Sequence, residues 1–286
     1  MPVAVVTDTT HYAPRELIAD HDIREVSLYV NEGDTATRES EIGSYENFYD
    51  RLRSAASLPT TSQPSIGDFL EVFEPLAEAG NDIVSVHLAG GISGTVESAR
   101  QAAAELMRER PQRRVEVIDS RKACGALAFA ALSGVAVARN GGDVDAVAAR
   151  VQETSDKVRL WFAVDTLEFL RRGGRIGAAQ AWLGGALKIK PILTVEGEIT
   201  PIERVRTAGR AFERMVEFLR SQQADGADGW MVQHIQAHEQ AERLVEAGRE
   251  IFGNDPIMVS EIGPVIGAHV GPGLLGVGGA PAALLR

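Results

Sequence analysis

Short runs of β-branched residues alternate with amphipathic stretches of helical length through the first half of this chain. That alternation narrows the possible folds more than any other feature, because strand and helix differ in the period of their apolar positions. Residues 3–6 read as a strand, 14–20 as a helix and 26–30 as a second strand. Ser44 is placed to cap a helix carrying Tyr45, Phe48, Tyr49 and Leu52 on one face. Ser65-Ile66-Gly67-Asp68 has the form of a capping box, and Ile66, Phe69, Leu70, Phe73 and Leu76 follow at helical spacing. A strand over 83–88, a helix over 93–107, a strand over 115–118 and Ala-rich helices over 124–139 and 143–155 complete the pattern. The expected result is a parallel sheet with helices on both faces.

The second half is patterned differently. Strands are expected over 160–164 and 189–195, with Glu196-Gly197-Glu198 suited to a tight hairpin turn into 199–205. A helix over 208–222, a strand over 230–235, a helix over 238–252 and a strand over 256–261 follow. Hairpin and crossover connections are mixed, which predicts an α+β unit with a mixed or antiparallel sheet. The chain is therefore expected to be α/β with two domains, 1–155 and 156–286, a division that its 286 residues allow.

Composition removes several functions. A net charge of −11 argues against a nucleic-acid or anionic-membrane binder. Cys124 is the only cysteine, so neither an intrachain disulfide nor a thiolate metal cluster is expected, and its apolar neighbours make it a buried small hydrophobe. No basic flank or cleavage site marks the N-terminus, and Lys188, Lys190 and Pro191 interrupt the best membrane-length stretch. The expectation is a cytoplasmic protein without stable membrane insertion.

Three polar loops carry the chemistry. In residues 262–273 a single histidine, His269, is set among glycines and prolines, which restrict the backbone to few conformations. Residues 59–65 offer the hydroxyls of Thr61 and Ser62 between two prolines, and residues 90–95 offer Ser93 beside Gly94 and Thr95. Each has an ordinary alternative: Ser93 as a helix cap, Thr61 and Ser62 as turn residues, His269 as a buried histidine satisfied by a carbonyl. Together, hydroxyls and an imidazole form a set of uncharged donors suited to a carboxylate.

Asp8 and Asp119 each follow a strand, at the sheet edge where open α/β folds bind ligands. Turn or capping roles are favoured for them over acid–base work. Residues 91–95 approach the G-x-S-x-G nucleophile elbow with threonine in the last place, so Ser93 and His269 also admit a serine-dependent acyl hydrolase. His11, His21, His87, His234 and His238 show no H-E-x-x-H spacing, and no metal site is expected. No P-loop or dinucleotide fingerprint stands in a fitting context, so no cofactor is expected. Arg172 and Arg175, with Arg204 and Arg206, concentrate positive charge as solvated surface or as a dock for an acidic partner or phosphate.

Taken in order, 6–10, 59–65, 93–95, 119–120, 167–176, 187–193 and 263–273 resemble the DegV family of bacterial fatty-acid-binding proteins. Two positions depart from its pattern: Thr9 stands where serine is common, and 32–41 differ from the usual stretch. The resemblance implies a two-domain protein with one long-chain fatty acid between the domains. Its carboxylate would meet Thr61, Ser62, Ser93 and His269, with Gly94, Thr95, Asp8 and Asp119 in support. It further implies a carrier rather than an enzyme, presenting the carboxylate to a separate ATP-dependent fatty-acid kinase, with Arg172 the best match to the arginine implicated there.

Overall fold

The computed structural model describes residues 1–55, 57–183 and 189–286; Leu187 and Lys188 of the resembling stretch lie outside them. The first half runs β1 (Val3–Asp8), α1 (Arg15–Asp20), β2 (Arg24–Val26), β3 (Tyr29–Glu32), β4 (Thr35–Arg38), α2 (Tyr45–Ser54), β5 (Thr60–Ser62), α3 (Ile66–Glu78), β6 (Asp82–His87), α4 (Thr95–Glu109), β7 (Val115–Asp119), α5 (Gly125–Arg139) and α6 (Val144–Lys157). Strands β2-β1-β6-β7 form a parallel sheet, as the alternation predicts. Neighbouring residues on a strand serve opposite faces: Val6 and Ile83 pack in a core with Phe69, Phe73 and Leu106 of α3 and α4, while Val5 and Val84 join Leu127 and Val147 of α5 and α6. Burial on both faces is why the central strands carry apolar neighbours in succession, as in residues 3–6 of β1 and Ile83-Val84 of β6. The capping box forms, with Ser65 Oγ accepting the Asp68 N–H and the Asp68 carboxylate accepting the Ser65 N–H.

The second half runs β8 (Arg159–Ala163), α7 (Glu168–Arg172), β9 (Lys190–Val195), β10 (Ile199–Val205), α8 (Ala208–Ala224), β11 (Gly229–His234), α9 (His238–Phe252), β12 (Met258–Glu261), α10 (Pro264–Val270) and β13 (Leu275–Ala280). Its sheet has the order β10-β9-β8-β13-β11-β12, with β11 and β12 parallel and the other neighbours antiparallel. Helices α8 and α9 cover one face through Met215, Leu219 and Leu244 against Trp230 and Val232. On the other face Leu160 and Met231 meet Ala126 and Phe129 of α5. Helix α5 thus lies between the two sheets, and residues 125–135 are buried on every side. A helix apolar all round is the sequence such a position requires.

Four expectations need correction. Residues 26–30 are not one strand: β2 ends at Val26 in the parallel sheet, and β3 starts at Tyr29 in a separate antiparallel sheet of order β4-β3-β5. The helix expected from Ser93 starts at Thr95, and its N-cap, Gly94, makes no side-chain capping bond. The segment around His269 is no loop. Residues 264–270 form α10, with Pro264 in the first turn, where a missing N–H costs nothing. Strand β13 was not expected at all, because Leu-Gly-Val-Gly-Gly-Ala reads as loop; at Gly278 an added Cβ would lie 2.4 Å from Met231 Cε and 2.7 Å from Arg159 O.

Candidate ligand-binding site

A cavity runs between the halves, lined by β5, the turn after β6, β8 to β10 and α10. Its empty space is about 850 Å³ counting the open mouth, and little of it is wide enough to admit a water molecule, so the bore is narrow. Leu28, Leu88, Ile92, Phe162, Leu170, Val195, Ile199, Val265 and Leu274 supply an apolar wall. Polar groups are few: Thr61, Ser62, Gln63, Ser93, Arg175, Gln233 and His269.

Thr61 comes from β5, whose pairing with β3 sets Thr61 opposite Val30 and Ser62 opposite Tyr29. Its hydroxyl lies 2.7 Å from His269 Nε2, joining two residues 208 positions apart. His269 Nδ1 is buried without a hydrogen-bond partner. Gly173 stands directly behind it, where an added Cβ would approach Nδ1 to 2.4 Å. Burial, then the nearby Arg175 charge, lowers the His269 pKa to about 4. The imidazole is neutral at physiological pH, with one nitrogen engaged and one open.

Helix α10 is held from the other half of the chain. Glu39 Oε1 accepts the Val265 N–H at 2.7 Å, and the Tyr12 hydroxyl oxygen accepts the Ile266 N–H at 3.1 Å. Tyr12 in turn donates to Glu39 Oε1 at 2.8 Å, and Thr9 donates to Oε2 at 2.6 Å. These bonds satisfy the open donors at the start of the helix. Burial outweighs them at Glu39 and leaves its carboxyl pKa raised. The Tyr49 hydroxyl donates to the Ile262 and Gly263 carbonyls at 2.6 and 3.0 Å. None of Tyr12, Glu39, Tyr49 or Gln63 stood out in the sequence as part of a site, since each acts through a partner distant along the chain.

Ser93 is half-buried on the cavity wall, with Oγ 2.8 Å from Thr95 Oγ1 and accepting the Thr95 N–H at 3.3 Å. Gln63 packs over Gly94, where an added Cβ would fall 2.6 Å from Gln63 Nε2. Arg175 donates to the Ile92 and Gly173 carbonyls at 3.3 and 3.0 Å. Thr61, Gln63, Ser93, Arg175 and His269 all line the one cavity. Ser62 is exposed at its edge and accepts from Asn31 Nδ2 at 3.4 Å. Gln233 belongs elsewhere, accepting the Gly125 N–H at 2.6 Å and donating to Ser260 Oγ at 3.0 Å.

Neither aspartate lines the cavity. Asp8 is fully buried and accepts from the Thr10 N–H and hydroxyl, the Leu88 N–H and His87 Nδ1. Burial works to raise its pKa, but these bonds prevail and hold it below the usual carboxylate range. Asp119 accepts the Gly90 and Arg121 N–H groups, a turn role. The hydrolase geometry is not built: among the described residues Ser93 pairs with Thr95, His269 pairs with Thr61, and no carboxylate reaches His269 Nδ1. Of the four arginines, Arg175 lines the cavity. Arg172 is exposed at the end of α7, Arg204 lies over the Trp182 ring at 5.4 Å, and Arg206 is exposed just after β10.

A family model described as "Uncharacterised protein, DegV family" matches residues 2–282. A DegV domain-containing protein of Clostridium acetobutylicum is 38% identical over 279 residues, covering 97% of each chain. Among solved structures, DegV of Bacillus subtilis, described as a fatty acid binding protein, superposes with a TM-score of 0.88 at 34% identity, covering 98% of this chain and 99% of its own. A DegV family protein from Thermus thermophilus, described by its fatty acid binding, gives 0.87 at 33% identity, again over 98% and 99%. With its parallel sheet, its mixed sheet and the cavity between them, this chain belongs to the DegV family.

Proposed function

We propose that this chain is a carrier of a long-chain fatty acid and not an enzyme, holding the tail in the narrow apolar cavity and the carboxylate at Thr61, Ser62, Ser93 and His269. The observation that carries this reading is the Thr61–His269 pair: uncharged donors at an otherwise greasy wall. The description of the Bacillus and Thermus relatives as fatty acid binding supports it. A tail of about fourteen methylenes supplies up to ~11 kcal/mol at ~0.8 kcal/mol each. Hydrogen bonds to a charged head group add about 1.5–3 kcal/mol apiece at most. The tail therefore sets affinity and the polar group sets orientation.

In this reading a separate ATP-dependent fatty-acid kinase docks on the side of Arg172, Arg175, Arg204 and Arg206. The carboxylate oxygen attacks the γ-phosphorus of ATP, giving an acyl phosphate and ADP. No cofactor takes part beyond the fatty acid, and the work belongs in the cytoplasm, where ATP is at hand. The same reading divides the chain at 155/156, next to the end of α6, which packs on α5, β6 and β7, whereas β8 joins the second sheet. Mass spectrometry of organic extracts from denatured protein tests the proposal. A stoichiometric long-chain fatty acid is expected, and a different small anion in its place would overturn the reading.

A further inference from the structure

A second group of residues stands away from the cavity, at the edge of the mixed sheet. Strand β12 is one of the two edge strands, and its parallel pairing with β11 sets Glu261 opposite His234 at the carboxyl ends of both. The chain leaves His234 through Gln236, whose φ of +51° turns it sharply, and α9 opens at His238. One ligand atom from each of His234, His238 and Glu261 then falls within 4.8 Å of the others. We infer that these three residues form a site for a first-row divalent transition cation of the Zn²⁺ class.

Three observations support that chemistry. The two imidazoles stand edge to face with centroids 4.5 Å apart, and the only hydrogen bond to the His234 ring among the described residues is a long one, 3.4 Å from the Ala237 N–H. Glu261 is aimed by its neighbour: Gln236 donates its backbone N–H and Nε2 to Oε1 at 3.2 and 2.8 Å, while no hydrogen bond reaches Oε2 among the described residues. Such support of a ligating carboxylate is the usual partner of a metal site. The adjoining depression is lined by the two histidines, by Arg249, which is paired with Asp255 at 2.7 Å, and by Glu242 and Glu246. The two glutamates add negative charge on the face of α9 that carries His238.

Two imidazoles with one carboxylate suit zinc and its first-row neighbours, whereas magnesium and calcium prefer all-oxygen ligands. Bonds of about 2.0–2.1 Å put neighbouring atoms of a tetrahedral site about 3.4 Å apart. The inferred site requires the exposed side chain of His238 to turn inward to that spacing, with the fourth position left to water. Sequence spacing did not lead to this site, because His234 and His238 lie four apart without the H-E-x-x-H glutamate and Glu261 comes from another strand. None of the three lines the cavity, so the inference is independent of the carrier function.

Titration of the tag-free, chelator-stripped full chain with ZnCl₂ by calorimetry, and with CoCl₂ by visible absorption, tests it. A single saturable cation is expected, unaffected by excess Mg²⁺. His238→Gln and Glu261→Gln should each weaken it by roughly tenfold or more. His21→Gln should change nothing, and circular dichroism should confirm that the surface variant His238→Gln keeps its fold. Absence of saturable binding, displacement by Mg²⁺, or full affinity in His238→Gln would each overturn the assignment.

Discussion

Two histidine clusters built with hydroxyl partners occupy different regions of this molecule, and only one of them faces empty space. At the carboxyl edge of the parallel sheet, Ser85 Oγ lies 2.6 Å from His87 Nε2, and His87 Nδ1 lies 3.1 Å from Asp8 Oδ2. By order and distance that is a serine–histidine–aspartate chain, but all three residues are 0% exposed. At the seam between the halves, Thr61 and His269 are 2.7 Å apart on the wall of a cavity, and His269 keeps one nitrogen without a partner. Proximity is the same in both places. Access and an unspent hydrogen bond are what make the second a candidate site and the first a piece of framework.

The largest effect should come from the framework. Asp8→Ala strands buried donors on Thr10, His87 and Leu88, each costing about 1–3 kcal/mol. Urea unfolding should show a loss of at least about 3 kcal/mol, with Ser85 unlabelled by a fluorophosphonate in the wild type. Labelled Ser85, or undiminished stability in Asp8→Ala, would break the contrast. At the seam the balance should reverse. His269→Ala is expected to weaken fatty-acid binding roughly ten- to a hundredfold and Ser93→Ala roughly fivefold, with the unfolding midpoint little moved. Fluorescent fatty-acid displacement measures both, and wild-type affinity in the two variants would remove the head-group assignment.

A third test is in pH. His269 falls to about 4 from an ordinary 6.5, so between those values the unfolded chain binds a proton that the folded one does not. Its contribution to stability is intact above pH 6.5 and declines as the pH drops toward 4. Comparing unfolding midpoints of the wild type and His269→Asn across that window should show a shallower decline in the variant. Parallel curves would mean that the imidazole is not held neutral by its surroundings.

Much of the architecture was legible because strands buried on both faces and helices with apolar stripes leave distinct periodicities. Val3 to Val6, the Ser65 capping box and the long helices were all readable for that reason. The polar group was legible in part, as a coincidence of His269 with two hydroxyl loops. Glycine and proline misled where their reasons lay far off. Gly267 sits inside a helix because an added Cβ would come 2.2 Å from the Tyr49 hydroxyl. Gly278 sits in a strand because Met231 and Arg159 crowd it. Glu39 was invisible, since its partner Val265 is 226 residues away and nothing local distinguishes it from a solvated acid.

The anchoring of α10 by Glu39, Tyr12 and Tyr49 decides how the two halves can part. Opening that joint would uncover two backbone N–H groups, a buried carboxyl and two tyrosine hydroxyls together. Across the mouth, by contrast, Arg175 reaches Ile92 through one exposed contact of 3.3 Å. The joint at α10 is therefore the harder of the two to open, because its buried polar groups would lose their partners, and the exposed Arg175–Ile92 contact is the easier.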